Sequence, residues 1–535
     1  MKRNRNVTIS LLLILVMLLS GCGTGEKKIP SQPDMTDDNY RVFYQIFVGS
    51  FSDSDGDGTG DLRGIINRLD YLNDGNVYSE DSLGIQGIWL SPIFASPSYH
   101  KYDATDYYKV DTKFGTEEDL RELVELCHER NVKVILDLVI NHTSSSNQWF
   151  QKFASAHKYG NTDDPYYNFY SWATKDTMIG GNTYNTIPGA PGEYYECNFS
   201  GDMPELNFDN DAVREEVLRL AKYYLDLGVD GFRFDAVKYI YYNNTPESVD
   251  FWKWYMQELT AYRPDIYCVG ECWSGDSETL KYVEALNCFN FQMSQSEGQI
   301  ANAAKGNGID QFTGYVERYQ DQVQKMNPEN GMMISFLANH DMDRAAGYMT
   351  VASKMAHMAA NLYLLSPGSP FIYYGEEIGL KGTRGGANTD SNRRLAMLWG
   401  DEDTVKDPVG TTYQKSKQTN GTVAEQLADE EGLLRYYSKV LTIRNTYPEI
   451  PRGDYQALSF GSDVVGGFLI TYQGKQTVLL HNTSGNNTKE IDLSTCMDYP
   501  DAELAIAEVI GQGKAKLNGT VLTIDPYTSV ILKGN

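Results

Sequence analysis

Four short stretches put carboxylates, imidazoles and a guanidinium where they could do chemistry. They are Asp137-Leu138-Val139-Ile140-Asn141-His142, Gly231-Phe232-Arg233-Phe234-Asp235-Ala236-Val237-Lys238, Val269-Gly270-Glu271-Cys272-Trp273 and Phe336-Leu337-Ala338-Asn339-His340-Asp341. Each belongs to a β-prone apolar run, so its polar groups fall at a strand end. Arg233 and Asp235 are two apart and share a face, while Phe232 and Phe234 turn to the opposite one. A guanidinium beside Asp235 favours its anion and lowers its pKa, as a nucleophile requires. Glu271, in a partly apolar pocket near Trp273, has its pKa raised by burial, which suits a proton donor. Two carboxyls of unlike proton affinity on adjacent strands are the equipment of a retaining glycosidase. Asp235 then attacks the anomeric carbon, Glu271 serves as acid and later as base, and Asp341 holds sugar hydroxyls as the ring distorts. A lone Asp or Glu at a strand end is more often a cap. Four strands ending this way argue for a site.

The elements that must carry these residues alternate along the chain. Predicted strands are Arg41–Phe51, Ile85–Ser91, Val132–Val139, Val229–Ala236, Ile266–Cys272, Cys288–Met293, Met332–Ala338 and Pro370–Tyr374. Between them fall helix-like amphipathic stretches such as Thr116–Arg130, Ala212–Leu227, Ser248–Tyr262, Phe312–Met326 and Ser353–Leu365, with Glu431–Asn445 as the eighth. Eight such units predict an α/β fold, a (β/α)8 TIM barrel, whose functional groups gather at the C-terminal ends of the strands. Residues 143–204 interrupt the alternation with thirteen aromatics and several Gly and Pro, too long for an ordinary connection. They read as an excursion domain after strand 3. From residue 452 short strands follow without helices, a C-terminal all-β sandwich domain over 452–535. The barrel then takes residues 39–142 and 205–451.

With these positions set out, the four stretches resemble, in order and spacing, the principal signatures of the α-amylase family of glycoside hydrolases. GIWLSPIF (87–94), MPELNF (203–208) and PFIYYGEE (370–377) extend the resemblance over roughly residues 40–535. It implies Asp235 as nucleophile, Glu271 as acid/base and Asp341 as transition-state stabiliser. It further implies Arg233, His142 and His340 around the reacting sugar, Tyr102 as the platform beneath it, and Arg394 as a substrate-binding arginine. Lys238 resembles the lysine beside reducing-side sugars, and Ala236 fits α-1,4 specificity. Tyr239 stands where typical members have His, and MPELN is closer to the neopullulanase-like branch. The implied activity is hydrolysis of α-1,4-glucosidic bonds in starch and maltodextrins. Alternatives are neopullulanase or maltogenic action, 4-α-glucanotransfer on the same scaffold, and a non-catalytic starch-binding lipoprotein.

Asp53-Ser54-Asp55-Gly56-Asp57-Gly58-Thr59-Gly60-Asp61 places oxygen donors at every second position, as in a calcium loop. Gly64 occupies the twelfth position, so it is no EF-hand. A solvated acidic turn has the same composition, but the place after the first strand resembles a family calcium site. The implied ligands are Asp53, Asp55, Asp57, the Thr59 carbonyl and Asp61. A second family site would use Asn141, with Glu205 in place of the usual Asp. Either calcium is structural, since the chemistry needs no metal.

A formal charge of −26 disfavours nucleic acid as a partner and is compatible with a neutral glucan. Lys2, Arg3 and Arg5 precede a short apolar run, Val7 to Leu19, which reads as an export signal over 1–21. It ends in Leu19-Ser20-Gly21-Cys22, resembling the bacterial lipobox, with Cys22 as the lipidated residue and 22–38 as a polar tether. The expectation is an exported, membrane-anchored or cell-surface lipoprotein, monomeric, holding an α-glucan. The remaining cysteines lack metal-like spacing, and Cys268 and Cys272 are expected to pack rather than pair.

Overall fold

The computed structural model describes residues 38–76, 79, 81–495 and 504–534. The expected signal segment, Cys22 and the tether up to residue 37 lie outside the described residues, as does Cys496. Parallel strands form one curled sheet in the order Asn287–Cys288, Tyr267–Gly270, Gly231–Phe234, Lys133–Leu138, Gly87–Leu90, Phe43–Ile46 and Phe371–Tyr373. Residues 334–336 fill the gap between its two edges through parallel bridges from Ile334 to Phe289 and from Phe336 to Phe371. That closes the barrel at eight positions, with those residues as the seventh.

Every predicted strand is shorter in the structure, and three are cut to less than half their predicted length. The first ends at Ile46, because residues Val48–Ser50 form a 3-10 turn that leads into the acidic loop. The sixth stops at Cys288, where the Asn290 carboxamide oxygen accepts from the Gln292 and Met293 amides (3.1 and 3.3 Å) and folds the chain into a turn. The seventh keeps only its two bridges.

Alternation along the strands separates two apolar layers. Phe43, Trp89, Ile135, Tyr267, Val269 and Phe371 fill the barrel interior. Phe232 and Phe234 face outward and join Trp252 and Tyr255 of the helix Thr245–Tyr262. Ring centroids 4.9 Å apart join Phe234 to Trp252. The middle of the interior is thus packed with large rings, and the reactive polar side chains occupy the layer above them.

The segment after the third strand contributes a helix, Gln148–Tyr159, and a three-stranded sheet of Trp172–Thr174, Glu193–Glu196 and Tyr184–Thr186. It leaves and returns at one place. Thr143 N donates to Pro204 O (3.1 Å) and Leu206 N to Asn141 O (3.0 Å). At the C-terminal end a five-stranded antiparallel sheet, starting with Asp454–Ser459, faces a three-stranded one around Leu480, Leu522, Ile524 and Val530.

Candidate active site

Strand register brings the reactive side chains into one row. Asp137 lies opposite Arg233, and Val269 lies opposite it on the other flank, one pair before Gly270 and Phe234. The chain leaves the fourth strand sharply, with Ala236 in the left-handed region at φ +50°. This turn aims the Ala236 amide at Glu271 Oε2 (3.3 Å), and Val237 N donates to the Glu271 carbonyl (3.0 Å). Trp252 Nε1 holds the turn from behind through Val237 O (2.8 Å). A Cβ at residue 270 would come within 2.9 Å of Val237 and 3.0 Å of Leu286, so a larger residue there would have to push these side chains aside.

Arg233 is fully buried, and its guanidinium is the hub of the site. Nη1 lies 2.7 Å from both Asp137 Oδ1 and Asp235 Oδ1, while Nη2 lies 3.0 Å from Glu271 Oε2. Arg233 lowers the pKa of Asp235 through both its charge and its hydrogen bond, as expected, but the net shift is upward. Burial raises it and outweighs Arg233, whose single charge is divided among three carboxyls, although a hydrogen bond with Glu271 also lowers it. Burial pushes Glu271 up to about 7 against the pull of Arg233, in the expected direction. Trp273, two residues on, stands at the rim of the site, 42% exposed and stacked on Phe291 at 4.9 Å.

Asp341 has a different setting. Arg394 Nη2 approaches Asp341 Oδ1 to 2.6 Å and His340 Nε2 approaches Oδ2 to 3.0 Å. Burial raises its pKa, but His340, Arg394 and Arg233 together hold it well below the ordinary carboxylate range. Gln45 donates to His340 Nδ1 (2.7 Å), which leaves the ring proton on Nε2, facing Asp341 and the Tyr102 hydroxyl (2.7 Å). The Tyr102 ring is stacked on His340 at 5.3 Å and 10°. Burial lowers the pKa of His340 against the upward pull of Asp341, and takes that of His142 down to about 4, so the His142 ring is neutral near pH 7.

Arg394 reaches Asp341, the His340 carbonyl (3.0 Å) and the Tyr99 hydroxyl (3.0 Å), so its donors are directed at protein groups. The Lys238 ammonium donates to Trp273 O (2.8 Å) and Ser274 Oγ (3.2 Å) at the mouth. On the excursion side the Phe199 ring packs against His142 (5.1 Å) and Tyr239 (4.5 Å). A cleft of about 640 Å³ opens beside Asp341, bounded by Trp273, Gln295, Tyr348, Arg384 and Arg393. The sequence reading gave no role to Asp137, Gln45 or Tyr99. Asp137 was within reach, because alternation from the inward-facing Ile135 puts it on the same face.

In the acidic loop Asp53, Asp55 and Asp61 bring carboxylate oxygens within 4.8 Å of one another. Asp57, the remaining expected carboxylate, lies outside that group, with its Oδ1 accepting from the Thr59 amide (2.6 Å). Asp53 also accepts from the Gly56 and Gly58 amides (2.9 and 2.8 Å) and from Thr404 Oγ1 (2.6 Å). Hard oxygen donors on a tight, glycine-turned loop fit calcium. At the second position the Asn141 Oδ1 is buried without a hydrogen-bond partner, beside a Glu205 that burial and Glu196 push up to about 8. The five described cysteines are buried free thiols, Cys268 and Cys272 among them.

Residues 45–453 match the family model described as alpha amylase, catalytic domain. Alpha-amylase 3 of Dictyoglomus thermophilum is 33% identical over 497 residues, 92% of this chain and 93% of its own. A 4-alpha-glucanotransferase of Thermotoga maritima is 32% identical over 359 residues, 65% of this chain and 74% of its own. Among solved structures, Eubacterium rectale Amy13B has a TM-score of 0.86 at 35% identity, covering 94% of this chain and 97% of its own.

Proposed function

Since the chain belongs to the α-amylase family of glycoside hydrolases, we propose that Asp235 and Glu271 cleave α-1,4-glucosidic bonds of starch-type glucans with retention of configuration. The observation that carries this reading is Arg233 holding both carboxyls at 2.7 and 3.0 Å from adjoining strands. Asp235 forms a bond to C1 as the C1–O bond breaks, and Glu271 passes its proton to the departing oxygen. The Glu271 carboxylate then takes a proton from water, whose oxygen displaces Asp235 from C1. Two inversions give net retention. A Glu271 raised to about 7 still holds its proton at mildly acidic pH and can release and regain it within one turnover. Asp341, held anionic, opposes the positive charge that builds on the ring. Tyr102, backed by His340, is the floor under the sugar, and His142 is a neutral donor or acceptor to its hydroxyls. Arg394 acts through Asp341, and Lys238 borders the leaving-group side.

Incubation with soluble starch tests the activity. Reducing ends are expected to rise as chains shorten. Chain redistribution without new reducing ends would favour glucanotransfer, the reading supported by the Thermotoga relative.

Calcium at Asp53, Asp55, Asp61 and the Thr59 carbonyl, with Asp57 moving in or bound through water, would hold mutually repelling carboxylates together and take no part in the reaction. The lipobox-like stretch supports export, lipidation of Cys22 and attachment of a monomer to a membrane surface. Cys22→Ser is then expected to shift the protein from the membrane fraction to the soluble one. Retention on the membrane would remove the anchor from this reading.

A further inference from the structure

One buried carboxyl at the centre of the site has no part in the bond-making steps. Asp137 is 0% exposed and shares Arg233 Nη1 with Asp235, each at 2.7 Å. Its other oxygen accepts from the Tyr102 hydroxyl (2.8 Å) and from Trp89 Nε1 (3.3 Å). Tyr102 continues the chain of hydrogen bonds to His340, and His340 continues it to Asp341. The groups facing Asp137 are therefore Arg233 and Asp235 from the fourth strand and Trp89 from the second. Tyr102 joins them from the loop beyond the second strand, with His340 behind it.

Three carboxyls and one guanidinium cannot all be charged in such an enclosure, because like charges this close raise one another's proton affinity. The proton left over belongs to the cluster and not to one member. We propose that Asp137 is a positioning residue that governs how much of the Arg233 charge is left for Asp235 and Glu271, and so sets the pH range in which that pair works. An ionised Asp137 draws Arg233 toward the third strand and makes the Glu271 anion harder to form. A neutral Asp137 releases Arg233 to the other two. Burial lifts Asp137 to about 7 as well, against Arg233, which places its proton in competition with that of Glu271 near neutrality.

Asp137→Asn keeps the shape and can still accept from Arg233 and face Tyr102, but removes one negative charge. Anions at Asp235 and Glu271 then become easier to form, and both limbs of the kcat/KM–pH profile are expected to move to lower pH. On a chromogenic maltooligosaccharide the alkaline limb should fall by about 1 unit, with little change in KM. Limbs that stay in place, whatever the loss of rate, overturn the inference and leave Asp137 as a packing residue. Should the variant fail to fold, infrared titration of the wild type and Glu271→Gln decides. A buried carboxyl that titrates near neutrality in Glu271→Gln and shifts when Tyr102, whose hydroxyl donates to Asp137, is also replaced by Phe supports the inference, and the absence of any titrating band that responds to Tyr102→Phe overturns it. The inference rests on Asp235 and Glu271 as the reacting pair. An active Glu271→Gln would defeat that assignment itself, whereas unmoved limbs in Asp137→Asn defeat only the role given to Asp137.

Discussion

The two halves of the site treat their carboxylates in opposite ways. Around Arg233, three acids divide one cation, and burial raises the proton affinity of all three. Around Asp341, one acid has Arg394 at 2.6 Å and a ring nitrogen of His340 at 3.0 Å, and its proton affinity drops although burial acts on it too. Desolvation has the same sign in both places, so the ratio of acids to cationic or N–H partners decides the outcome. The consequence is a division of labour: the fixed anion is Asp341, while the groups that must gain and lose protons or bonds lie where charge is scarce.

That contrast can be broken at several points. The largest effect is expected from Asp235→Asn and Glu271→Gln, each lowering kcat on soluble starch by about 10⁴-fold or more while glucan binding survives. Turnover near the wild-type level in either would refute the assigned roles. A substrate with a good leaving group should restore bond cleavage in Glu271→Gln but not in Asp235→Asn, because only the first step's acid is then dispensable.

Arg394→Gln comes next. If Arg394 acts by holding Asp341, the loss falls on kcat, by about 10- to 100-fold, with KM nearly unchanged. A change confined to KM would mean that Arg394 binds sugar directly, as the family resemblance implied. The smallest effect concerns the acidic loop, far simpler in its electrostatics. Chelation is expected to lower Tm by about 2–5 °C. An unshifted transition, with no calcium found by elemental analysis, would leave the loop as a solvated turn held by its own amides.

Much of the fold was legible because it depends on periodicity. Apolar runs alternating with amphipathic helices require a parallel sheet wrapped by helices, and the order of Phe232, Arg233, Phe234 and Asp235 tells which side chains enter the interior. The boundaries of the first, sixth and seventh strands were not legible, since they end through a 3-10 turn, the Asn290 side chain and single bridges, which local pattern does not encode. In the site, residue types and order identified Asp235, Glu271 and Asp341 as candidates without any coordinates. Their proton affinities were another matter. Arg233 does lower the proton affinity of Asp235, as two positions on one strand suggest, but burial outweighs it, and Asp137 and Glu271 reach the same guanidinium from the neighbouring strands. What the sequence determined by itself is which groups lie at the barrel mouth. Only the tertiary structure decided how they divide one buried charge, because a charge acts through space on every carboxyl within a few ångströms, while the sequence records neighbours along one dimension.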